Sequence, residues 1–218
     1  MALEERCRPL RRGATLFRER DPAGELFIVC KGMLMSYVLL DDGSRQILRF
    51  LFPGDMIGTI AYDRAPEAVV ALNESKVCPF DRSALAALMT AHPRVAALIL
   101  VNSQIERVAL TDRLAALGRS SAKARVAALL LELRDRQRMV QPALGATFHP
   151  GLTQEEMGDA TGLTAVHVNR MLRQLEEEAL IERANGWVTI LDQRALAVAA
   201  NYVDRYADFD LGWLPPPA

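Results

Sequence analysis

His167, Asn169, Arg170 and Arg173 stand close together in the segment Leu152 to Trp187, LTQEEMGDATGLTAVHVNRMLRQLEEEALIERANGW. Each can hydrogen-bond a base edge or a phosphate. Arg matches the two acceptors of guanine, and Asn matches the donor and acceptor of adenine. Val166 beside them offers an apolar contact of the kind a thymine methyl takes. Thr153, Gln154 and Thr164 add hydroxyl and amide groups suited to the sugar-phosphate backbone. This set implies recognition of double-stranded DNA rather than the breaking of a bond.

The elements that must position these side chains are readable. Thr153 followed by Gln154, Glu155 and Glu156 reads as a capping box that opens a short helix. Met157 and Ala160 supply its apolar face. Gly162 suits the turn after it, because it reaches positive φ without a Cβ clash. Thr164 can cap a second helix. On that helix Val168, Met171, Leu172 and Leu175 share one side at helical spacing. Val166, Arg170, Arg173 and Glu177 fall opposite, with His167 and Asn169 on the flanks. Ile181 to Ile190 alternates around Asn185-Gly186, a strong hairpin signal. Two short helices followed by a hairpin predict a winged helix-turn-helix. A small helical subdomain with solvated charges would share the helices, but not the wing.

Within this segment, Gly162-Leu163-Thr164-Ala165-Val166-His167-Val168-Asn169-Arg170 resembles the cyclic-AMP receptor / fumarate-nitrate regulator (CRP/FNR) family of bacterial transcription factors. It is similar to a subgroup whose recognition helix carries His-Val-Asn-Arg. Phe27 to Gly32 and Phe52 to Gly58 resemble two glycine-marked turns of the family's N-terminal β-roll. The resemblance covers nearly the whole chain. It implies an α+β protein with a cyclic-nucleotide-binding-like β-roll, a long dimerisation helix and a C-terminal winged helix-turn-helix. The family often has Glu where Val166 stands, so the half-site is expected to differ from that of the best-known members.

Length and composition agree with such a protein. The chain has 218 residues, half of them hydrophobic and 24% charged. No apolar run reaches the roughly 18 residues that span a bilayer, and MALEERCRPLRRG has no apolar signal-peptide core. A cytoplasmic protein without membrane partners is the expectation. Net charge is −1, and acidic and basic residues balance between Arg119 and Arg183. That is unusual for a DNA binder, but affinity follows local charge at the phosphates. Glu176, Glu177 and Glu178 sit at the far end of the second helix, where they can point away from a duplex.

Upstream, Leu26 to Val29, Met33 to Leu40 and Gln46 to Phe52 read as strands punctuated by Gly32, Asp41-Asp42-Gly43 and Pro53-Gly54-Asp55. Arg82 to Ala91 reads as a short helix, and Pro93 fits the first turn of a longer one. Leu98, Val101, Ile105, Val108, Asp112 and Ala115 recur at spacings of three and four along it. This seam either packs on its own domain or meets a two-fold mate, which would let two helix-turn-helix units read a palindrome. Gly118 to Ser121 reads as a hinge. Ser121 to Arg136 reads as a helix with Val126, Leu129, Leu130 and Leu133 inward. Arg138 to Gly151 reads as loop or short strand, and Ala195 to Tyr206 as a final helix. The expected organisation is residues 1–92 as sensor, 93–118 as dimerisation helix, 119–206 as DNA-binding domain and 207–218 as tail.

Family members that bind cyclic AMP carry Gly-Glu for the ribose and Arg-Ser for the phosphate. The matching positions here read Gly58-Thr59-Ile60 and Glu67-Ala68. A Glu would repel a phosphate, so cyclic AMP is not the expected ligand. Oxygen-sensing relatives hold an iron–sulfur cluster. Cys7, Cys30 and Cys78 cannot supply four thiolates, and no cofactor is expected. Cys30 and Cys78 lie in strand-like contexts that predict buried core thiols, with a redox switch through Cys7 or Cys30 as the other reading. His92 fits a surface or capping role better than a haem ligand. The effector, if there is one, is not legible. Activation would bring contact with RNA polymerase, and no motif locates that surface.

Two other classes remain for comparison. A cupin-like metal oxygenase needs clustered His ligands, and His92, His149 and His167 are far apart. A ligand-binding module without DNA activity would need only the β-roll, and leaves the helix pair and wing unexplained.

Overall fold

The computed structural model describes residues 7–216. Residues 1–6, part of the segment in which no signal-peptide core is expected, and 217–218 of the Pro-rich tail lie outside them. The chain divides into two compact units. One holds residues up to Ser36, Leu51–Leu110 and the part from Arg205 on; the other holds Tyr37–Phe50 and Thr111–Asp204.

The N-terminal half is built from short strands: β1 (Arg8–Leu10), β2 (Thr15–Phe17), β3 (Leu26–Lys31), β4 (Leu34–Leu39), β5 (Arg45–Leu51), β6 (Met56–Ile57), β7 (Ala68–Ala71) and β8 (Ser75–Phe80). One sheet runs β1-β8-β3-β6 and another β2-β7-β4-β5. Phe27, Val29, Leu34, Leu51, Ile57, Val69, Ala71 and Val77 fill the core of the first unit. β1 and β2, with three residues each, and β6, with two, carry too few residues for a sequence pattern. The turns obey local chemistry. Gly54 takes φ 96°, and buried Asp55 accepts the Phe52 amide at 2.8 Å. At Gly32 a Cβ would meet the Ser75 hydroxyl at 2.3 Å, so no larger residue fits.

Helix α1 (Arg82–Ala91) is capped by Asp81, and α2 (Pro93–Arg119) follows it. α2 takes in Gly118 and Arg119, the first two residues of the expected hinge, and the break falls on its last two, Ser120 and Ser121. Ser121 then caps α3 (Ala122–Val140) by accepting the Ala124 amide at 3.1 Å. α3 continues past Arg138, where a loop is expected from the sequence. Its Val126, Leu129, Leu130 and Leu133 are buried as expected.

The rest of the chain gives β9 (Thr147–Phe148), α4 (Gln154–Thr161), α5 (Ala165–Glu177), β10 (Ile181–Ala184), β11 (Trp187–Ile190) and α6 (Gln193–Ala200). α3 packs against α4, α5 and α6. α6 stops well short of Tyr206. Asn201 turns left-handed at φ 49°, and the Tyr202 amide closes on the Ala197 carbonyl, a local stop that no apolar periodicity reveals. Among the described residues no single helix is long and apolar enough to cross a membrane.

Candidate nucleic-acid interface

The helix pair forms as its caps dictate. The Thr153 hydroxyl accepts from the Glu156 amide at 3.1 Å, and the Glu156 carboxylate accepts from the Thr153 amide at 2.7 Å. This reciprocal pair satisfies two amides that would otherwise be orphaned at the start of α4. Gly162 ends α4 at φ 66°, in the left-handed region. Thr164 starts α5 by accepting the His167 amide at 3.2 Å. Val168, Met171, Leu172 and Leu175 are buried on one side of α5. The opposite side is open: Val166 is 82% exposed, and Arg170, Arg173 and Glu177 are exposed. His167 and Asn169 are half-buried on the flanks.

The polar residues are partly pre-arranged. The Arg170 guanidinium donates to His167 Nε2 at 2.7 Å, so the imidazole braces the Arg from one turn earlier. The Gln154 amide donates to Asn169 Oδ1 at 3.4 Å, linking the first residue of α4 to the middle of α5. Thr153 and Gln154 are exposed at the start of α4. The structure therefore brings Thr153, Gln154, Val166, His167, Asn169, Arg170 and Arg173 to neighbouring positions on the two helices.

The wing is a two-residue hairpin. Asn185 and Gly186 both take positive φ, 51° and 83°, between the paired residues Ala184 and Trp187. β9 adds a third strand beside β11. His149 meets exposed Trp187 edge to face, with ring centres 5.6 Å apart. Arg183 of β10 pairs with Glu176 of α5 at 2.7 Å, which fixes the wing against the recognition helix. That hydrogen bond holds the Glu176 carboxyl below its ordinary range. Lys123 of α3 grips Glu178 through both carboxylate oxygens, at 2.6 and 2.7 Å. Two of the three clustered acids thus serve as anchors.

Three features escaped the sequence reading. At Gly158 a Cβ would lie 2.4 Å from the Leu163 carbonyl oxygen. The signal was present, because a glycine inside a helix is costly. Arg45 and Gln46, from the turn end of β5, reach Asp159 of α4: the guanidinium lies 2.6 Å from the carboxylate, and the Gln46 amide donates to the Asp159 carbonyl at 2.8 Å. Arg113 of α2 donates from Nη2 to both carboxylate oxygens of Glu132 of α3, each at 2.7 Å. Neither pairing has a signature in the local sequence.

In the N-terminal unit a cavity of about 400 Å³ is lined by Leu16, Phe17, Phe27, Gly58, Thr59 and Glu67, among others. Ile60 is exposed outside it and Ala68 is buried in β7, so Gly58, Thr59 and Glu67 of the five pocket residues line the space. Arg82 holds two of its walls by donating to the carbonyls of Ala23, Thr59 and Tyr62. Asp21, Glu25 and Glu67 supply carboxylates, and Arg8 on the rim pairs with Glu25 at 2.7 Å. Cys78 is buried as expected, but Cys30 is exposed. The cause is a bulge: the β3 register steps from Val29 opposite Val77 to Lys31 opposite Lys76 and skips Cys30.

α2 places Leu98, Val101, Ile105, Val108 and Asp112 along one helix. None of its residues is fully buried. Val101, Ile105 and Val108 are half-covered, while Leu100, Leu110 and Leu114 on another side are 56%, 42% and 72% exposed.

Comparison with known proteins bears on both halves of the chain. The model of the cyclic nucleotide-binding domain family matches residues 7–92, and that of the Crp-like helix-turn-helix domain matches residues 124–199. The chain is 31% identical over 189 residues to the nitrogen fixation regulation protein FixK of Bradyrhizobium diazoefficiens, covering 86% of this chain and 79% of that one. It is 27% identical over 207 residues to the fumarate and nitrate reduction regulatory protein of Escherichia coli, covering 93% and 82%. The solved structure of FixK2 from Bradyrhizobium japonicum is similar with a TM-score of 0.79 at 28% identity, over 88% of this chain and 96% of that one. These relatives are transcription regulators rather than enzymes. With its capped helix pair, wing and upstream β-roll, the chain belongs to the CRP/FNR family of transcription regulators and carries that family's helix-turn-helix DNA-binding domain.

Proposed function

We propose that the protein is a homodimer that binds a palindromic operator through two copies of α5. The observation that supports this most is the open side of α5, where Val166, Arg170 and Arg173 face outward while the apolar side is fully packed. Arg170, braced by His167, reads a guanine. Asn169 and His167 reach neighbouring bases or phosphates, and Val166 touches a thymine methyl. This is the His-Val-Asn-Arg recognition pattern. Thr153, Gln154, Thr164 and Arg173 hold the backbone. α2 joins the two protomers along Leu98, Val101, Ile105, Val108 and Asp112: its length and the incomplete burial of this seam favour a second copy, and pairing sets the half-sites about one helical turn apart. Residues 1–92 serve as sensor, 93–118 as dimer helix and 119–206 as DNA-binding domain. The setting is cytoplasmic, and an activating role would add contact with RNA polymerase.

Cyclic AMP is not the effector in this reading. The cavity carries Asp21, Glu25 and Glu67, and its Arg8 is already paired. An anion placed there meets carboxylates, while Arg8 is paired with Glu25 and Arg82 is taken up by the carbonyls of Ala23, Thr59 and Tyr62. The chain's three cysteines also fall short of the four thiolates of an iron–sulfur cluster. Duplex binding at low salt, followed by fluorescence anisotropy with wild type and Arg170→Ala, tests the DNA reading. Thermal unfolding with millimolar cyclic AMP tests the effector reading. No shift is expected, and a clear rise in Tm contradicts it.

A further inference from the structure

We propose that Cys7 and Cys30 are a thiol modification site that closes to an intramolecular disulfide under a two-electron oxidant of the peroxide class. Their sulfurs lie 3.5 Å apart although the residues are 23 positions apart in sequence. A disulfide needs about 2 Å between sulfurs, so closure requires a shift of roughly 1.5 Å, within reach of side-chain rotation. The strand register explains the approach. Arg8 of β1 and Val29 of β3 both face Val77 of β8. Cys7 directly precedes Arg8, and Cys30 directly follows Val29. An unbulged strand would carry Cys30 away from this point. The bulge instead turns its side chain back along β3, where Sγ lies 3.6 Å from the Ile28 carbonyl. Cys30 is exposed, Cys7 is half-buried and Cys78 is buried, so the three thiols differ in access.

The chemistry closes. The Cys30 thiolate attacks peroxide: an S–O bond forms, the O–O bond breaks, and the departing hydroxide takes a proton to become water. Cys7 then attacks the Cys30 sulfenic acid: the S–S bond forms, the S–O bond breaks, and a second water leaves. Two thiols lose two protons and two electrons to one peroxide. A small dithiol reverses the step. Burial and the hydrogen bond with Cys7 push the Cys30 thiol up to about 11, with Cys78 adding to the rise and Lys76 opposing it. Thiolate is therefore scarce at neutral pH, and the pair responds to sustained rather than brief oxidant exposure.

The test is direct mapping on the full chain. The protein is treated with hydrogen peroxide, remaining thiols are blocked with N-ethylmaleimide, and peptides are identified by mass spectrometry. The expected result is a Cys7–Cys30 linked peptide and a fall from three blockable thiols to one, reversed by dithiothreitol. Cys30→Ser and Cys7→Ser each abolish the linkage, and Cys78→Ala, which leaves both partners in place, retains it. The proposal is overturned if Cys30 advances to sulfinic acid while Cys7 stays alkylable. It is overturned equally if every linkage found joins two chains. Either result is independent of whether the protein binds DNA.

Discussion

A Cβ at Gly158 would lie 2.4 Å from the Leu163 carbonyl oxygen, and the Leu163 amide in turn donates to the Gly158 carbonyl at 3.0 Å. The turn between α4 and α5 is thus folded onto a residue of α4 that has no side chain. This contact sets how closely the recognition helix follows the helix before it.

Gly158→Ala should therefore destabilise the DNA-binding unit by about 1–3 kcal/mol, despite the better helix propensity of alanine. Gly118 is the control. It lies inside α2, and a Cβ added there would meet no other atom within 4 Å. Gly118→Ala should be stabilising by up to about 1 kcal/mol. Urea unfolding of both variants checks the pair, and equal effects would contradict the packing argument.

Arg170→Ala should cost about 1–3 kcal/mol in duplex affinity, concentrated at one position of each half-site. Arg173→Ala should weaken all sequences alike and lower the salt slope by about one. Anisotropy titrations across a set of single-base variants separate the two. A uniform loss for Arg170→Ala would remove its base-reading role.

Val101→Glu combined with Ile105→Glu places charges on the proposed seam of α2 and should convert a dimer into monomers. Sedimentation at micromolar concentration reads this. Retention of the dimer would mean that the partner covers another face, or that α2 is not the joint.

Two buried or paired acids should respond to pH in opposite directions. Glu176 is held low by Arg183, so its contribution is present above the unfolded-state value and is lost as pH falls through the lower folded one. Glu176→Gln should cost at most about 1 kcal/mol at neutral pH and nothing once the carboxyl is protonated in both states. Asp135 is pushed up by burial, with Asp204 adding to the rise. Its folded state holds the proton more tightly, so wild-type stability falls as pH rises through that range. Asp135→Asn should gain on wild type as pH rises from about 4, the ordinary carboxylate value. Denaturant midpoints at several pH values read both variants.

Much of the recognition unit was legible in the sequence because each of its signals has a local mechanism. Thr153 with Glu156, Gly162, Thr164 and Asn185-Gly186 act on neighbours a few residues away. Features that depend on distant partners were not legible. Gly118 is the last residue but one of α2, with the break only after Arg119, and α6 stops at Asn201 through a backbone turn. Cys30 became exposed through a bulge that only the pairing of β3 with β8 defines. Arg45 found Asp159 across more than a hundred residues, a relationship that no local pattern encodes. The cavity was partly legible: Gly58, Thr59 and Glu67 line it, while Ile60 and Ala68 turn elsewhere.

The central claim is that the outward side of α5 reads DNA, twice per dimer. Selection from a pool of random duplexes by the purified protein tests it most directly. The predicted result is enrichment of an inverted repeat whose half-sites share a guanine, with preference at that position lost for Arg170→Ala. Enrichment of no sequence at low salt, or of the same motif by wild type and Arg170→Ala, would contradict it.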